Sequence, residues 1–281
     1  MKEGRYYEKL TEDRVRCTLC PHRCTISPGE TGKCGVRKNE KGTLWSLNYG
    51  KITGLHIDPI EKKPIHFYLE GTKTLSVGSF GCNFHCPFCQ NYRIAKGTPP
   101  TRTISPQEIV HQAIKAGVPS ISYTYNEPTV FYEMVLETAK IAKKQGLKNI
   151  LVTNGYIENE PLKELRPYID GANIDLKGFN AQGYPETIGG DIERVKSNIR
   201  ELHGKIHIEV TTLVVTGLSD RKEELIRLFH WLASISPDIP LHLNRYYPCY
   251  RYHEPPTDIK FLLEMKEEAK KVLHRVRSGN F

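Results

Sequence analysis

Three cysteines that can share a metal centre lie in one short segment, at Cys82, Cys86 and Cys89. Their spacing is Cys-x3-Cys-x2-Cys, and an aromatic residue, Phe88, precedes the last of them. Three thiolates in one loop can hold three irons of a [4Fe–4S] cube, whereas a cube held entirely by protein takes four cysteines. No fourth cysteine stands nearby in the sequence. The spacing therefore predicts a catalytic cluster with one iron open to a substrate or cofactor.

Two other interpretations of this loop stay open. Zinc prefers four ligands, often arranged as Cys or His pairs, and His85 is a candidate fourth ligand. The three thiols also fit a loop without any ligand role. The spacing, the strand candidate before the loop and the aromatic Phe88 favour the iron–sulfur cluster over both alternatives.

A second cysteine group, Cys17, Cys20, Cys24 and Cys34, lies near the N-terminus, and His22 stands between Cys20 and Cys24 in the sequence. The surrounding segment is too polar to fold alone, so the four cysteines predict a metal staple. A zinc ion held by all four thiolates and an auxiliary [4Fe–4S] cluster both fit. The first three spacings do not form the paired Cys-x2-Cys knuckle of zinc ribbons, and the choice of metal stays open.

The chain that must position these groups alternates between short β-rich runs and longer amphipathic runs. The strand candidates are Thr74–Ser79, Ser120–Tyr125, Asn149–Asn154, Ala172–Lys177, His207–Val214 and Leu241–Tyr246. Helix followed by strand, repeated six times, predicts an α/β fold with a parallel sheet. Six units are too few for a closed barrel, so we expect an open, partial (β/α)6 barrel of the TIM type. A flat doubly wound sheet is the alternative.

Three helices can be placed by their caps and apolar faces. The first runs from Pro106 to Ala116 with Ser105 as its N-cap. The second follows a cap at Asp220, and the third is the last helix of the chain. Their predicted apolar faces are Leu225, Leu228, Phe229 and Leu232 for the second, and Leu262, Met265, Ala269, Val272 and Val276 for the third.

The organisation predicted from these patterns has three parts. Residues 1–43 form a small cysteine-rich metal-binding appendage, residues 44–72 a connector packed on the barrel, and residues 73–281 the partial barrel. Ligands of such sheets lie at the carboxyl ends of the strands. The loop with the three cysteines follows the first strand candidate directly, which is where that rule places a site.

Polar residues at the ends of the second, third and fourth strands are the candidates for the rest of the site. Asp175 and Lys177 are two residues apart, so both point to one face of a strand. The alternatives are a capping Asn at a strand end and an internal ion pair without a ligand. The candidate residues are Asn126, Glu127, Thr153, Asn154, Asp175 and Lys177.

These motifs together resemble radical S-adenosylmethionine (SAM) enzymes of the AmmeMemoRadiSam system, which are relatives of pyruvate formate-lyase activating enzymes. The resemblance rests on Cys-Thr-Leu-Cys-Pro-His-Arg-Cys at 17–24, Gly-Lys-Cys-Gly-Val-Arg at 32–37, Asp-Pro-Ile-Glu-Lys-Lys-Pro at 58–64 and the cluster loop that ends in Cys-Gln-Asn. It implies that the open iron binds the amino and carboxylate groups of SAM. An electron from the cluster then cleaves SAM to methionine and a 5′-deoxyadenosyl radical, which abstracts hydrogen.

The resemblance also implies roles for single residues. Glu127 would hold the SAM amino group, Lys177 the SAM carboxylate, Asp175 a cation or ribose hydroxyl, and Phe88 would pack over the cluster or the adenine. Where many relatives have two glycines before the Glu, this chain has Tyr125 and Asn126. Val152 and Tyr247 also replace the Asp and His of related activating enzymes, so a cation site that needs that Asp is doubtful here.

The amino-acid composition narrows the classes of protein to which this chain can belong. The chain has 281 residues, of which 38% are hydrophobic and 26% charged, as in soluble globular proteins. No apolar run approaches the ~20 residues of a membrane span, and the N-terminus lacks the apolar core of a signal peptide. The eight cysteines are clustered with metal-type spacings. We therefore expect a cytoplasmic protein without membrane contact.

Three hypotheses for the function follow. The first is a radical SAM enzyme that acts on a protein glycyl Cα–H or a similar backbone site, with flavodoxin or ferredoxin as the electron donor. The second is the same chemistry on RNA, motivated by the net charge of +8. The third is a metal-binding partner protein with a decayed site. A macromolecule, more readily a protein than RNA, is expected beside Arg245 and Tyr246, and the lone Cys249 has no assigned role.

Overall fold

The computed structural model describes residues 1–180 and 182–281. Its strands are β1 (Lys2–Glu3), β2 (Tyr7–Lys9), β3 (Val15–Cys17), β4 (Thr25–Ile26), β5 (Arg37–Glu40), β6 (Thr43–Ser46), β7 (Lys51–Ile52), β8 (Gly54–Pro59), β9 (Lys73–Gly78), β10 (Arg102–Thr103), β11 (Ser120–Tyr123), β12 (Lys148–Thr153), β13 (Gly171–Asp175), β14 (His207–Val214), β15 (Leu241–Arg245) and β16 (Val276–Gly279).

The helices lie mostly between the strands of the main sheet. They are α1 (Tyr92–Ala95), α2 (Pro106–Lys115), α3 (Tyr132–Lys144), α4 (Asn159–Leu165), α5 (Gly183–Thr187), α6 (Ile192–Leu202), α7 (Lys222–Ile235) and α8 (Ile259–Lys270), with 3₁₀ turns at Ile60–Lys62, Pro128–Phe131 and Arg166–Tyr168. None of the helices in the described residues is long and apolar enough to span a bilayer.

The main sheet has eight strands in the order β16-β15-β14-β13-β12-β11-β9-β8. All neighbours pair in parallel except β8, which runs antiparallel to β9. The six predicted strands are β9 and β11 to β15, and their observed bounds differ from the predicted ones by at most two residues. The predicted α/β fold with a mostly parallel sheet is therefore confirmed, and β8 and β16 extend it at its two edges.

The sequence explains why these segments are central strands. The strands β9 and β11 are buried along almost their whole length, as parallel strands covered on both faces must be. Helix α2 begins where the sequence predicts, because Ser105 and Glu108 form a reciprocal capping box and Pro106 occupies the first helical position.

Two helix predictions need correction. The last helix ends at Lys270, so Val272 lies beyond it, and Val276 lies in β16, where it pairs with Leu241. The cap of α7 is Arg221 rather than Asp220, whose carboxylate instead accepts a hydrogen bond from the Gly217 N–H at 3.0 Å. The buried face predicted for α7 is correct, since its four apolar residues are all buried.

The N-terminal residues form two small antiparallel sheets, β1-β6-β5 and β2-β3-β4. The predicted boundary between residues 43 and 44 falls inside β6, because this strand pairs with both β1 and β5. Val15, Ile26 and Leu44 belong to the same apolar core as the residues of the main sheet. The N-terminal sheets therefore pack on the barrel as part of one continuous core.

A buried polar cluster lies at the amino-terminal ends of β14 and β15, opposite the cysteine loop. The carboxylate of Glu209 accepts hydrogen bonds from the ring nitrogens of His207 and His242 at 2.9 and 2.6 Å. The backbone N–H groups of His66 and Phe67 also donate to it. This cluster fastens the connector between β8 and β9 to the amino-terminal end of the barrel.

Candidate active site

A cavity of about 250 Å³ lies at the carboxyl ends of β9, β11, β12 and β13. The structure brings all the residues predicted for the SAM and cluster site to this one cavity. They are Cys82, Cys86, Cys89, Phe88, Asn126, Glu127, Thr153, Asn154, Asp175 and Lys177. Residues from four separate segments of the sequence therefore meet at the sheet edge where parallel strands place their ligands.

The cysteine loop leaves β9 through a glycine that the backbone requires. Gly81 has a φ of +86°, and a Cβ at this position would lie 2.7 Å from Val36. The first thiol is already within reach of two donors: the N–H of Phe84 lies 3.4 Å and the side-chain amide of Asn154 lies 3.9 Å from the Cys82 sulfur. Such donors stabilise a sulfur that carries negative charge.

Cys86 is buried and Cys82 and Cys89 are partly buried, and the ionisation of all three thiols depends on a ligand. Burial raises the pKa of Cys86 to about 11, although the charge of Lys177 opposes this shift. Burial also raises the pKa values of Cys82 and Cys89. Without a metal these thiols stay protonated at neutral pH, whereas a coordinating metal deprotonates a thiol outright.

His85 does not join the three cysteines. Its side chain is exposed and its Nδ1 atom lies 2.8 Å from the amino group of Lys96. Within residues 1–180 and 182–281, the cavity lining contains neither a fourth cysteine nor a histidine. The suggestion that His85 completes a four-ligand zinc site is therefore wrong, and the donor set matches a cube with one open iron.

Glu127 is held by four hydrogen bonds at the end of β11. One carboxylate oxygen accepts from the N–H and hydroxyl of Thr129 and from the hydroxyl of Thr153, at 2.7 to 2.9 Å. The other accepts from the N–H of Asn154 at 2.8 Å. Burial raises the pKa of this carboxyl group, and these hydrogen bonds lower it. Glu127 thus ties the end of β11 to the end of β12.

The two asparagines of the site orient the cysteine loop. Asn126 accepts a hydrogen bond from the Ser79 N–H at 2.8 Å and donates to the Gly81 carbonyl at 3.1 Å. Asn154 donates to the side-chain carbonyl of Asn83 at 2.8 Å. The residues on both sides of Cys82 are therefore held by asparagine side chains that follow the neighbouring strands.

Asp175 and Lys177 form an ion pair at the wall of the cavity, with 2.8 Å between the amino nitrogen and a carboxylate oxygen. Burial lowers the pKa of Lys177, but the charges of Asp175 and of the nearby Cys86 outweigh it, so the net shift is upward. Lys177 therefore stays cationic next to the cysteines. The pair offers one positive and one negative group to a zwitterionic ligand.

A group of three residues, Tyr125, Asp58 and Lys63, was not assigned a role from the sequence. Tyr125 lies just before Asn126 with a φ of +69°, the left-handed conformation that glycine adopts easily. Its hydroxyl donates to Asp58 at 2.6 Å, and its ring lies under the amino group of Lys63 at 4.6 Å. Lys63 in turn donates to Asp58 at 2.7 Å. The Asp-Pro-Ile-Glu-Lys-Lys-Pro motif was the available signal, since it contains both charged partners.

The residues expected at the substrate mouth are placed differently. Tyr246 is buried, and its hydroxyl donates to the Tyr252 carbonyl at 2.8 Å. Arg245 donates to the Thr257 carbonyl, and neither residue lines the cavity. Asn244 is the residue of β15 that does so, because side chains alternate along a strand. The expectation that Arg245 and Tyr246 line the mouth is therefore wrong.

Cys249 lies near the cluster loop but does not face the cavity. Its thiol donates to the carbonyl of Cys89 at 3.6 Å. The N–H of Arg251 donates to the Pro87 carbonyl at 2.9 Å. The segment around Cys249 thus supports the cluster loop from outside.

The second cysteine group lines a separate, smaller cavity between the N-terminal sheets and the barrel. Cys17, Cys20, Cys24 and Cys34 all face it, together with Arg37. In the part of the chain that the structure describes, no three Cys, His, Asp or Glu side chains already have the close arrangement of a formed single-ion site. The metal at these four cysteines accordingly stays a prediction.

Comparison with known proteins identifies the protein family to which this chain is similar. A profile of the radical SAM superfamily matches residues 76–232. Uncharacterized protein MJ0808 of Methanocaldococcus jannaschii is 42% identical over 269 residues, which cover 93% of this chain and 80% of that protein. The GTP 3′,8-cyclase of Peptoclostridium acidaminophilum is 29% identical over 154 residues, covering 51% of this chain and 46% of the cyclase. This chain thus spans about half the length of that relative.

A solved structure supports the same fold. SuiB of Streptococcus suis, bound to S-adenosylmethionine, matches with a TM-score of 0.58 at 16% identity, covering 71% of this chain and 48% of SuiB. At this identity the likeness concerns the fold alone. It agrees with the mostly parallel sheet of this chain.

Proposed function

Because this chain belongs to the radical SAM superfamily, we propose that Cys82, Cys86 and Cys89 hold the [4Fe–4S] cluster of that family and that SAM binds beside it. The observation that carries the proposal is the single cavity shared by the three thiols and the strand-end residues. When bound, the cluster and SAM supply a low-potential electron and a 5′-deoxyadenosyl radical. A decayed site is disfavoured, since all these residues still converge.

The side chains of the cavity have separate tasks in this proposal. Lys177 binds the SAM carboxylate through a charge-assisted hydrogen bond, and Asp175 accepts from a ribose hydroxyl. Glu127 and Asn154 hold the cluster loop and the strand ends in place, and Glu127 also faces the SAM amino group. Phe88 lies between this cavity and the buried Tyr246, where it excludes water from one wall.

We further propose that the hydrogen donor is a protein segment, such as a glycyl Cα–H. The support is the cluster loop ending in Cys-Gln-Asn, which resembles that of activating enzymes. The opening of the barrel adds no support, because β8 and β16 make the sheet wider than the six strands expected. The motifs at 17–24, 32–37 and 58–64 support membership of the AmmeMemoRadiSam group, with flavodoxin or ferredoxin as the reductant.

A small molecule is the second candidate substrate. The specific observation is the similarity to an enzyme named for its action on GTP. RNA has less support, because many surface cations are paired with carboxylates. Lys222, for example, pairs with Glu264 at 2.6 Å, and Lys271 with Glu268 at 2.7 Å.

Anaerobic reconstitution tests the cofactor proposal. Reduced protein should convert SAM to 5′-deoxyadenosine, and the Cys86→Ala variant should lose labile sulfide, the cluster absorbance and this activity. Cys249→Ala is the matched control, since its thiol lies outside the cavity, and it should keep all three. Wild-type protein without labile sulfide after reconstitution would refute the proposal.

Isotope transfer tests the substrate class. An extract of cells grown on deuterated nutrients is separated into protein, RNA and small-molecule fractions, and each is added to reduced enzyme with unlabelled SAM. Deuterium in 5′-deoxyadenosine should come from the protein fraction. The label identifies the hydrogen donor, because the radical reacts only with a carbon held next to it. Label from the small-molecule fraction alone would support the second candidate, and label from RNA alone would refute both.

A further inference from the structure

The four N-terminal cysteines come from different turns but face one enclosed space. Cys17 ends β3, Cys20 lies in the following turn, Cys24 precedes β4 and Cys34 lies before β5. The cavity they line has a volume of about 20 Å³. A space of roughly 10–15 Å³ on this measure holds one water-sized sphere. The cavity therefore has room for a single ion, in contrast to the about 250 Å³ at the three-cysteine loop.

Arg37 gives this cavity a fixed positive charge. Its side chain is 1% exposed, and its two terminal nitrogens each donate to Glu133 at 2.7 Å. The third nitrogen of the guanidinium, Nε, is buried and has no hydrogen-bond partner within the described residues. A buried donor without a partner costs about 1–3 kcal/mol, so an acceptor is expected next to it.

Metal-bound thiolates are the acceptors that this cavity can offer. A divalent ion held by four thiolates carries net negative charge, and an N–H donor beside the sulfurs stabilises that charge. Neutral thiols accept hydrogen bonds only weakly. A metal ion held by the four cysteines would therefore supply the acceptor that the Nε–H of Arg37 needs.

We propose that Cys17, Cys20, Cys24 and Cys34 bind one Zn²⁺ as a closed tetrathiolate site, with Arg37 Nε donating to a ligand sulfur. The size of the cavity favours a single ion over an auxiliary [4Fe–4S] cube. A closed site with four protein ligands is structural rather than catalytic.

This zinc site has a direct connection to the cluster loop. His22 lies between Cys20 and Cys24 in the sequence, and its ring donates to the carbonyl of Asn83 at 2.7 Å. Asn83 follows Cys82 and donates to the Tyr156 carbonyl at 2.8 Å. Zinc thus fixes the turn that supports the backbone next to the first cluster cysteine. This inference does not depend on SAM chemistry.

Metal analysis of the full chain after reconstitution tests the proposal. We expect one zinc together with four irons and four sulfides per chain, as a [4Fe–4S] cluster plus one zinc requires. The Cys20→Ser variant should lose the zinc and keep the four irons, and cobalt(II) loaded in place of zinc should show the visible bands of a tetrahedral thiolate site. About eight irons with no zinc, or no metal beyond the first cluster, would overturn the proposal.

To test the role of Arg37, we need a variant in which no buried charge is left without a partner. The double change Arg37→Met with Glu133→Leu removes the ion pair as a unit, because either single change would strand its partner. In competition with a chromophoric chelator, the double variant should hold zinc at least about tenfold more weakly, as expected for roughly 1.4 kcal/mol or more. Unchanged zinc affinity in a folded double variant would refute the hydrogen bond from Arg37.

Discussion

At the scale of single residues, the site separates groups that contact the ligand from groups that hold those groups in place. Lys177 lines the cavity and, among residues 1–180 and 182–281, donates only to Asp175, so its amino group can still bind a carboxylate. Glu127 lines the same cavity, but four protein hydrogen bonds already occupy its carboxylate. The two residues should therefore fail in different ways when they are changed.

Lys177→Met should weaken SAM binding and leave the cluster intact. Loss of one charge-assisted hydrogen bond costs about 1–3 kcal/mol, which corresponds to a roughly 5- to 150-fold lower affinity. Equilibrium binding of SAM to the reconstituted variant, together with its iron content, is the measurement. Lys222→Met is the surface control. Equal SAM affinity of Lys177→Met and wild type would remove the proposed role.

Glu127→Gln should lower both SAM affinity and the retention of iron. The amide cannot accept at both positions, so the hydrogen bond from Thr129 or from Asn154 is lost, and Asn154 supports the loop through Asn83. The rate at which a chelator removes iron from the cluster measures this effect, and it should rise several-fold relative to Lys177→Met. If iron loss is as slow as in Lys177→Met, Glu127 acts on SAM alone.

At the scale of elements, the turn after β11 combines a strained backbone with buried partners. A non-glycine residue in the left-handed region costs roughly 1–2 kcal/mol. Tyr125 pays this cost next to the site because its hydroxyl and ring are held by Asp58 and Lys63, which come from the segment before β9. Gly78 is needed beside it, since a Cβ there would lie 2.8 Å from the Tyr125 ring.

Tyr125→Phe should destabilise the protein by about 1.5–3 kcal/mol, the range for a hydrogen bond to a charged group. The ring stays under Lys63, but Asp58 loses one donor while the backbone strain remains. The free energy of unfolding in urea is the measurement, with Tyr247→Phe as control because Tyr247 is partly exposed. A loss no larger than that of Tyr247→Phe would show that the hydroxyl does not stabilise the turn.

At the scale of the whole molecule, the sequence predicts the central strands but not the edges of the sheet. The central strands are short buried runs with flanking turns, a pattern that is visible locally. The edge strands β8 and β16 are partly exposed, and β8 contains His56 and Asp58, so only their pairing partners define them. The site residues could be predicted because they end strands. The hydrogen bonds of Glu127 could not, since they depend on the register between β11 and β12.

The buried polar cluster around Glu209, at the amino-terminal ends of β14 and β15, predicts that the stability of the protein depends on pH. Burial raises the pKa of Glu209, but hydrogen bonds from His207, His242 and two backbone N–H groups lower it from 4.5 to about 2. A depressed pKa gives stability that is fully present above the unfolded value of 4.5 and is lost as the pH falls toward about 2. The shift corresponds to roughly 3 kcal/mol at neutral pH.

Glu209→Gln should therefore be less stable than wild type by about 2–3 kcal/mol at pH 7, and this difference should shrink as the pH falls below about 4.5. Denaturant unfolding curves across that range, with the exposed Glu223→Gln as control, measure the difference. A constant difference at all pH values would mean that the charge of Glu209 is not what stabilises the barrel.

The conformation of Tyr125 has a consequence for how related sequences can diverge. Where a homologue has glycine at this position, the left-handed turn costs little free energy. The residues equivalent to Asp58 and Lys63 then have no tyrosine to bind, and their identity can vary. Where a homologue has tyrosine at this position, the residues equivalent to Asp58 and Lys63 should be conserved with it. An alignment of relatives should thus show these positions covarying, with glycine at the turn permitting loss of the charged pair.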